Sequence, residues 1–507
     1  MNTTLSNGSQ ANAVPEIRRT KPGLSLALLL TGTLLVGFSM GRWLAPLAAW
    51  IGPVLILRYA RDHKGWRGYP LVIAAYSLAF LIGFGENWAS RLPLVAVPIF
   101  AVFYGLLWSL PYLADRLVGA PLKGFSSTLV YPLAATTIEF LNIHTNPVGM
   151  WGATGFTQYG NLPLMQIASV TGMIGITFLM GWFAAVANWA WENQGRRAGM
   201  LKGLAVFGTV FAAVFIFGFL RLNLTSASET VRVAGITTSS ATVLGKVFAE
   251  TPDRATVRLA VQAHRDAYFG ETAREAQAGA KVIVWPEVSG VGYAADDAAF
   301  ITRAQEVARE NEIYLIIPRF MYPDNPDTGQ LVENTLLLID PTGTIAINHV
   351  KYGGHIMEGY RIQGDGKLQA VDTPLGVLSG VICYDMDYPA VIQQAGQLGV
   401  GLMLAPSSDG QAIDPVHSQM AVFRAIENGM SLVRQADQGL SLAVDPYGRV
   451  LAQTDFFGST DRTMVAQVPT RHVATLYTAF GRWFEWLCLA GFLVVVVRAL
   501  VVRRQVG

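Results

Sequence analysis

Three side chains capable of covalent chemistry stand at the ends of apolar runs in the C-terminal half of the chain. Glu287 closes KVIVWPE (281–287), Lys351 follows TIAINHV (344–350), and Cys383 closes GVLSGVIC (376–383). The only other cysteine, Cys488, lies in WLCLAGFLVVVV and reads as packing filler. A neutral thiol attacks poorly until a base or cation favours the thiolate. Glu287 can take the thiol proton and return it to a leaving group. Lys351 can lower the thiol pKa and hold a tetrahedral oxyanion, helped by the backbone N–H of Tyr384. Each residue has a plainer reading alone: Cys383 as a small buried hydrophobe, Glu287 as a turn acid, Lys351 as a surface cation. Their joint occurrence at strand ends, where α/β enzymes gather reacting groups, favours chemistry.

Such positions need a scaffold. From about 229 to 472, short strands alternate with amphipathic helices. Strands are expected at 231–236, 281–287, 313–320, 334–340, 376–385, 401–409, 430–437 and 440–446. Helices are expected near 253–279, 295–311, 388–398 and 415–429, the last carrying His417 and Arg424, which orient the site or simply pack. Apolar strands with helices between them predict an α/β domain. DPTG (340–343) and DPYG (445–448) are turn signals that close hairpins, and their recurrence hints at two similar halves.

The rest of the chain is built for another solvent. Of its 507 residues, 52% are hydrophobic and only 14% charged, too apolar for an ordinary soluble enzyme. The net charge of +2 gives no reason to expect nucleic acid. No Cys/His pair has metal-ligand spacing, so neither metal nor cofactor is expected. Stretches near 24–41, 44–58, 69–85, 92–113, 126–141, 163–190, 200–220 and 483–502 suit membrane spans. The domain organisation expected is a disordered cytoplasmic tail (1–20), seven spans within 21–222, the α/β domain (229–472) and a final span (483–502).

Basic residues fix the expected orientation. Alternate short segments hold Arg18, Arg19, Lys21; Arg58, Arg61, Lys64, Arg67; Arg116, Lys123; Arg196, Arg197, Lys202; and Arg498, Arg503, Arg504. The opposite loops hold only Arg42 and Arg91. This bias puts both termini in the cytoplasm and the α/β domain outside. The first apolar stretch is expected to stay as a span rather than be cleaved as a signal peptide. Glu86 and Glu139 are expected at span ends. Trp151, Phe156 and Tyr159 are expected in an outer loop, as an interfacial aromatic belt or a gate for lipid.

VWPE (284–287), a lysine after a strand, and ICYDMDYP (382–389) resemble the Glu–Lys–Cys signature of the nitrilase (carbon–nitrogen hydrolase) superfamily. The segment 417–454 is similar to that superfamily's C-terminal part. Eight spans arranged around such a domain resemble the apolipoprotein N-acyltransferase family, and 155–180 is similar to its loop and span preceding the last helix before the domain. The resemblance implies a four-layer αββα sandwich and ping-pong acyl transfer in a bacterial cytoplasmic membrane. Cys383 takes an acyl chain from a phospholipid as a thioester, and the α-amine of a diacylglyceryl-modified apolipoprotein cysteine then attacks it. The resemblance makes Glu287 the general base and Lys351 the oxyanion stabiliser. It matches Glu358 to a second glutamate after the lysine, and Tyr384 and Asp385 to the two residues following the nucleophile.

Three features depart from the family pattern, one being that KYGGHIMEGY (351–360) lacks the histidine-proline-phenylalanine flavour expected after the lysine. Lys351 and Cys383 are only 32 positions apart, short of the apolar arm expected there. APSSDGQAID (405–414) replaces a loop that carries a Trp-Phe-Gly element. The last two favour the alternative, a membrane-tethered amidase in which water resolves the thioester.

Overall fold

The computed structural model describes residues 21–506 except 64–67, 123, 196, 226–227, 239–243, 245–246, 248–252, 326–328 and 356–358. The expected tail at 1–20 and Glu358 lie outside the described residues.

Each of the eight apolar stretches carries a helix: α1 (Pro22–Gly37), α2 (Pro46–Asp62), α3 (Tyr69–Arg91), α4 (Ala96–Ala114), α5 (Val130–Thr145), α6 (Ile174–Glu192), α7 (Arg197–Asn223) and the terminal helix Trp483–Val506. Five of these regions are long and apolar enough to cross a membrane by length and composition: Tyr69–Ser90, Ala96–Gly119, Ile174–Glu192, Arg197–Asn223 and Trp483–Gln505. Their outer faces are apolar, with Ile216 and Phe219 of α7 and Val494 and Val497 of the terminal helix exposed. Water would oppose so broad an apolar surface, whereas lipid accepts it. Small residues let the first pair approach closely, since a Cβ on Gly32 would stand 2.8 Å from Ile56 Cγ1 and 3.0 Å from Gly52 O.

The sixth stretch differs from expectation. Instead of one span over 163–190 there are two single turns, Leu162–Met165 and Ala168–Thr171, and then α6 from Ile174. Gly172 makes the break at φ +69°, and a Cβ there would strike the Tyr477 ring at 2.8 Å. Glu139 is another correction. It lies well inside α5, buried, and accepts from Thr177 Oγ1 (2.7 Å) and the Thr154 N–H (2.9 Å).

The α/β domain follows α7. Its first strands are β1 (Thr230–Gly235), β2 (Val282–Val284), β3 (Gly290–Tyr293), β4 (Tyr314–Tyr322), β5 (Glu333–Ile339) and β6 (Ile345–Val350). Then come β7 (Ala370–Thr373), β8 (Gly376–Gly380), β9 (Leu402–Leu404), β10 (Ser407–Ser408), β11 (Ser431–Arg434), β12 (Ala436–Asp437), β13 (Leu440–Val444), β14 (Val450–Asp455) and β15 (Met464–Pro469). One sheet runs β15-β1-β2-β4-β5-β6, with β3 beside β4, and the other runs β7-β8-β9-β11-β13-β14.

The two sheets repeat one pattern. In each order the neighbours are antiparallel, parallel, parallel, antiparallel and antiparallel. The last hairpin of each carries a register shift just before its turn, at Leu338/Ile339 and at Ala443/Val444. Those turns are DPTG and DPYG. Gly343 and Gly448 take φ +85° and +79° and donate back to Asp340 O (2.9 Å) and Asp445 O (3.0 Å).

Alternation along the strands sets the layers. Val282, Val284, Ile316, Leu336 and Leu338 share one apolar cluster with Leu378, Leu402, Leu404 and Leu432 of the second sheet. Their neighbours Ile283, Leu315, Ile317, Leu337 and Ile339 join Tyr268, Phe269, Phe300 and Ala304 on the helices α8 (Arg254–Gln277) and α9 (Asp297–Glu310). Beyond the second sheet lie α10 (Pro389–Gln397) and α11 (Val416–Asn428). The order is therefore helix, sheet, sheet, helix.

Candidate active site

Three chain ends converge between the sheets. β2 stops at Val284, and the extended segment after it carries Glu287, whose N–H donates to Ser407 O (3.2 Å). Lys351 directly follows β6, its N–H on Asn334 O at 3.0 Å. The strand expected through 385 ends at Gly380. The backbone then turns at Cys383, φ +48°, into a single 3₁₀ turn, Cys383–Asp387. A non-glycine residue with positive φ costs roughly 1–3 kcal/mol and needs surrounding support. The Cys383 N–H bond to Pro406 O (2.8 Å) and the Val381 N–H bond to Leu404 O (3.1 Å) supply it.

The expected trio is brought together. Lys351 Nζ donates to Glu287 Oε1 at 2.6 Å, and Asn334 Nδ2 donates to the same oxygen at 2.8 Å. Exposure is 1% for Lys351, 4% for Glu287 and 1% for Cys383. Burial first, then the Glu287 charge, push the Cys383 thiol above its ordinary pKa, while Lys351 and His417 pull the other way. The resting thiol is therefore protonated, with Sγ 3.9 Å from Ser408 O and 4.0 Å from Asp409 Oδ1.

Asp385 organises the backbone of the site. Its Oδ1 accepts from the N–H groups of Tyr352 (2.9 Å) and Gly353 (2.6 Å), and Oδ2 from Ile382 N–H (2.9 Å) and His349 Nε2 (2.8 Å). One carboxylate thus ties the segment after Lys351 to the turn holding Cys383. Burial works against its charge, but His349 and the backbone donors hold its pKa below the ordinary value.

A second buried network escaped the sequence reading, except for His417. The His417 ring lies between Asp387 Oδ2, 3.0 Å from Nε2, and Asp409 Oδ1, 2.8 Å from Nδ1. Arg434 donates to both Asp409 oxygens at 2.7 and 2.8 Å. Burial and the Arg434 guanidinium, 2.9 Å from Nδ1, disfavour the imidazolium, but Asp387 and Asp409 outweigh them and raise the His417 pKa well above its ordinary value. Burial also opposes the Asp409 charge, but Arg434 and His417 hold its carboxyl well below the carboxylate range. The available signals were a second acid in CYDMDYP and an arginine inside the strand SLVRQAD. Arg424 points elsewhere, to Glu427 at 2.6 Å. Cys383, Asp409 and His417 place a sulfur, an oxygen and a nitrogen within 4.8 Å of one another. Both ring nitrogens face carboxylates and both Asp409 oxygens face Arg434, so these donors are already committed to ion pairs.

The loop between α5 and α6 brings the helical half to this site. Trp151 Nε1 donates to Asp387 Oδ2 at 2.9 Å, and Met150 N–H to Asp387 O at 3.2 Å. Trp151 and Phe156 are buried against the domain, Phe156 on Phe423 with ring centroids 5.2 Å apart, rather than arrayed as a surface belt. Above this loop a cavity of about 670 Å³ opens, walled by Phe80, Phe84 and Trp88 of α3, Phe103 and Tyr104 of α4, Trp151 and Tyr384. Tyr384, the residue after Cys383, is part of the cavity wall.

Residues 31–186 match the model of the apolipoprotein N-acyltransferase N-terminal domain, and residues 234–476 match the carbon–nitrogen hydrolase model. The chain belongs to the apolipoprotein N-acyltransferase family. A relative of that name from Geobacter metallireducens is 24% identical, covering 95% of each chain. Another from Rhodopseudomonas palustris is 25% identical over 91% of this chain and 86% of the relative. Among solved structures, an amidase from Nesterenkonia sp. is 21% identical with a TM-score of 0.38, covering 49% of this chain and 93% of that one. Both parts of the family's pattern, apolar helices and a nitrilase-like α/β domain, therefore occur here in the family's order.

Proposed function

We propose that this protein is a membrane N-acyltransferase that moves an acyl chain from a phospholipid, through a thioester on Cys383, to the N-terminal amine of a diacylglyceryl-modified apolipoprotein. The observation that carries this reading is the buried Glu287–Lys351 pair meeting Cys383 beside an apolar cavity formed by helices of the other half. An acyl chain seated in that cavity has its ester near Tyr384, at the nucleophile.

In the first half-reaction Glu287 takes the thiol proton as Sγ attacks the ester carbon. Lys351 offsets the charge growing on the carbonyl oxygen. Collapse breaks the ester C–O bond, and the proton on Glu287 goes to the departing lysophospholipid alkoxide. In the second half the acceptor amine attacks the thioester and loses its proton to Glu287. The C–S bond breaks, and the thiol is restored. Tyr384 and Asp385 support the turn, and Glu358 is assigned to the same site.

The lipid donor sets the placement. All eight helices cross the bilayer in this reading, with both termini cytoplasmic and the α/β domain outside, as the basic loops require. The 16 residues of α1 extend about 24 Å, less than the roughly 30 Å hydrocarbon core. Local thinning accommodates such a short span.

The test uses phospholipid with labelled acyl chains, followed by a diacylated lipopeptide. A hydroxylamine-labile adduct, absent in Cys383→Ala, and label passing to the lipopeptide amine are expected. Release of fatty acid alone would mean that water resolves the thioester. Absence of any adduct would overturn acyl transfer.

A further inference from the structure

His417 has no place in the steps above, yet it is buried beside the nucleophile. Its ring centroid lies 4.8 Å from that of Tyr384, and Nδ1 shares Asp409 Oδ1 with the reach of Cys383 Sγ. Both ring nitrogens face carboxylate oxygens. Nδ1 also lies 2.9 Å from the Arg434 guanidinium, which opposes a charged ring, but the carboxylates on the two nitrogens outweigh it and favour the imidazolium. Asp387 Oδ2 serves a second donor, the indole N–H of Trp151, and Trp151 also walls the apolar cavity.

We propose that Asp387 is a positioning residue for the acylation step: by bridging the His417 ring to the Trp151 indole, it holds a cation beside Cys383 in register with the cavity that seats the donor chain. This rests on the donor reading above and adds to it a route by which cavity wall and nucleophile share one anchor. The contacts on that anchor are close. Met150 N–H also bonds Asp387 O, and a Cβ on Gly149 would stand 2.4 Å from the same oxygen, so the loop meets the turn backbone to backbone.

The charged and titratable groups facing His417 come from every packed element. The turn gives Asp387, Cys383 and Tyr384, the loop after β10 gives Asp409, and β11 gives Arg434. With Asp387 uncharged, Asp409 alone must hold the imidazolium against burial and Arg434. His417 then loses its proton within or below the neutral range, and the thiolate loses a cation on the alkaline side.

The experiment follows hydroxylamine-labile label on Cys383 of the full-length protein in phosphatidylethanolamine–phosphatidylglycerol vesicles with radiolabelled acyl chains. Rates are taken from about pH 5.5 to 8.5, across the ordinary histidine range. For Asp387→Asn the ratio of mutant to wild-type rate is expected to fall about tenfold as pH rises. Asp387→Glu should restore a flat ratio. Trp151→Phe keeps the ring and removes the N–H, and should raise the donor KM about threefold or more with kcat held. A pH-independent ratio for Asp387→Asn would show a purely structural role and overturn the proposal. If that variant fails to fold, an unchanged donor KM in Trp151→Phe overturns it instead. A wild-type protein that forms no adduct removes the donor reading itself, a separate failure.

Discussion

Lys351 Nζ lies 2.6 Å from Glu287 Oε1, and both side chains are withdrawn from solvent between the two sheets. A buried ion pair is a poor source of net stability, but losing one partner leaves the other charge unpaired, at about 3–5 kcal/mol. Glu287→Gln should therefore destabilise the protein strongly as well as slow acylation. Adding Lys351→Met should restore much of the thermal stability while leaving acylation as slow as before. Melting curves of both variants in detergent check this. A double variant no more stable than the single one would mean that the lysine is not the charge left exposed to the cost.

The same glutamate should act in opposite directions on two reactions of Cys383. Burial and the Glu287 charge hold the thiol pKa up, so iodoacetamide should label Cys383 slowly at neutral pH and faster on raising pH through the ordinary thiol range and beyond. Glu287→Gln removes one cause of that elevation while Lys351 stays. Alkylation at pH 7 should then quicken by up to about tenfold, one pKa unit, while acyl transfer from phospholipid falls. Parallel loss of both reactivities would indicate a damaged site rather than a missing base.

Asp385 gives a stability signature with a definite sign. Its folded pKa is lowered, so its contribution is fully present above the unfolded carboxylate pKa, about 4. That contribution is lost as pH falls through the folded value. Asp385→Asn should cost about 2–4 kcal/mol near neutral pH, because an amide cannot accept from all four donors. The gap between wild type and variant should close below about pH 4. Unfolding midpoints across pH 3–7 measure it, and a gap constant with pH would rule out the charge as the source.

The legible part of this protein was whatever depends on local pattern. Apolar runs placed all eight helices, and alternating strands placed the α/β core. The paired DPTG and DPYG turns correctly pointed to two similar halves, because turn chemistry is local and repeats with the topology. The unbroken sixth stretch misled because hydropathy is blind to a single glycine turned by Tyr477 packing from far along the chain. β3, β7, β14 and β15 were missed because they are short or carry polar and small residues; their pairing, not their composition, makes them strands.

The site divides the same way. Glu287, Lys351 and Cys383 were readable because each follows an apolar strand. Asp387, Asp409 and Arg434 were not, because their meaning lies in contacts between segments distant in sequence, including the loop carrying Trp151. A charged residue in a strand announces only that it needs a partner.

The break at Gly172 can be tested directly. Alanine there must adopt φ near +69° and push against the Tyr477 ring, 2.8 Å from the new Cβ. A loss of about 1–3 kcal/mol is expected. Tyr477 is buried and its truncation carries its own cavity cost, so in the double variant with Tyr477→Ala the loss should be smaller than the sum of the two single losses by the steric part only. A Gly172→Ala protein with wild-type melting behaviour would mean that the sixth stretch tolerates a continuous helix after all.

The cavity makes the final prediction. Val148 lines it on the loop that carries Trp151, away from the Glu287–Lys351 pair. Val148→Trp fills part of the 670 Å³ without changing any charged group. If this space seats the donor chain, the KM for phospholipid should rise about tenfold while iodoacetamide still labels Cys383 at the wild-type rate. Shorter acyl chains should be less affected than longer ones, because less of the chain competes with the indole. A variant equally impaired with every chain length and with iodoacetamide would place the obstruction at the thiol itself and leave the cavity without a role in the donor.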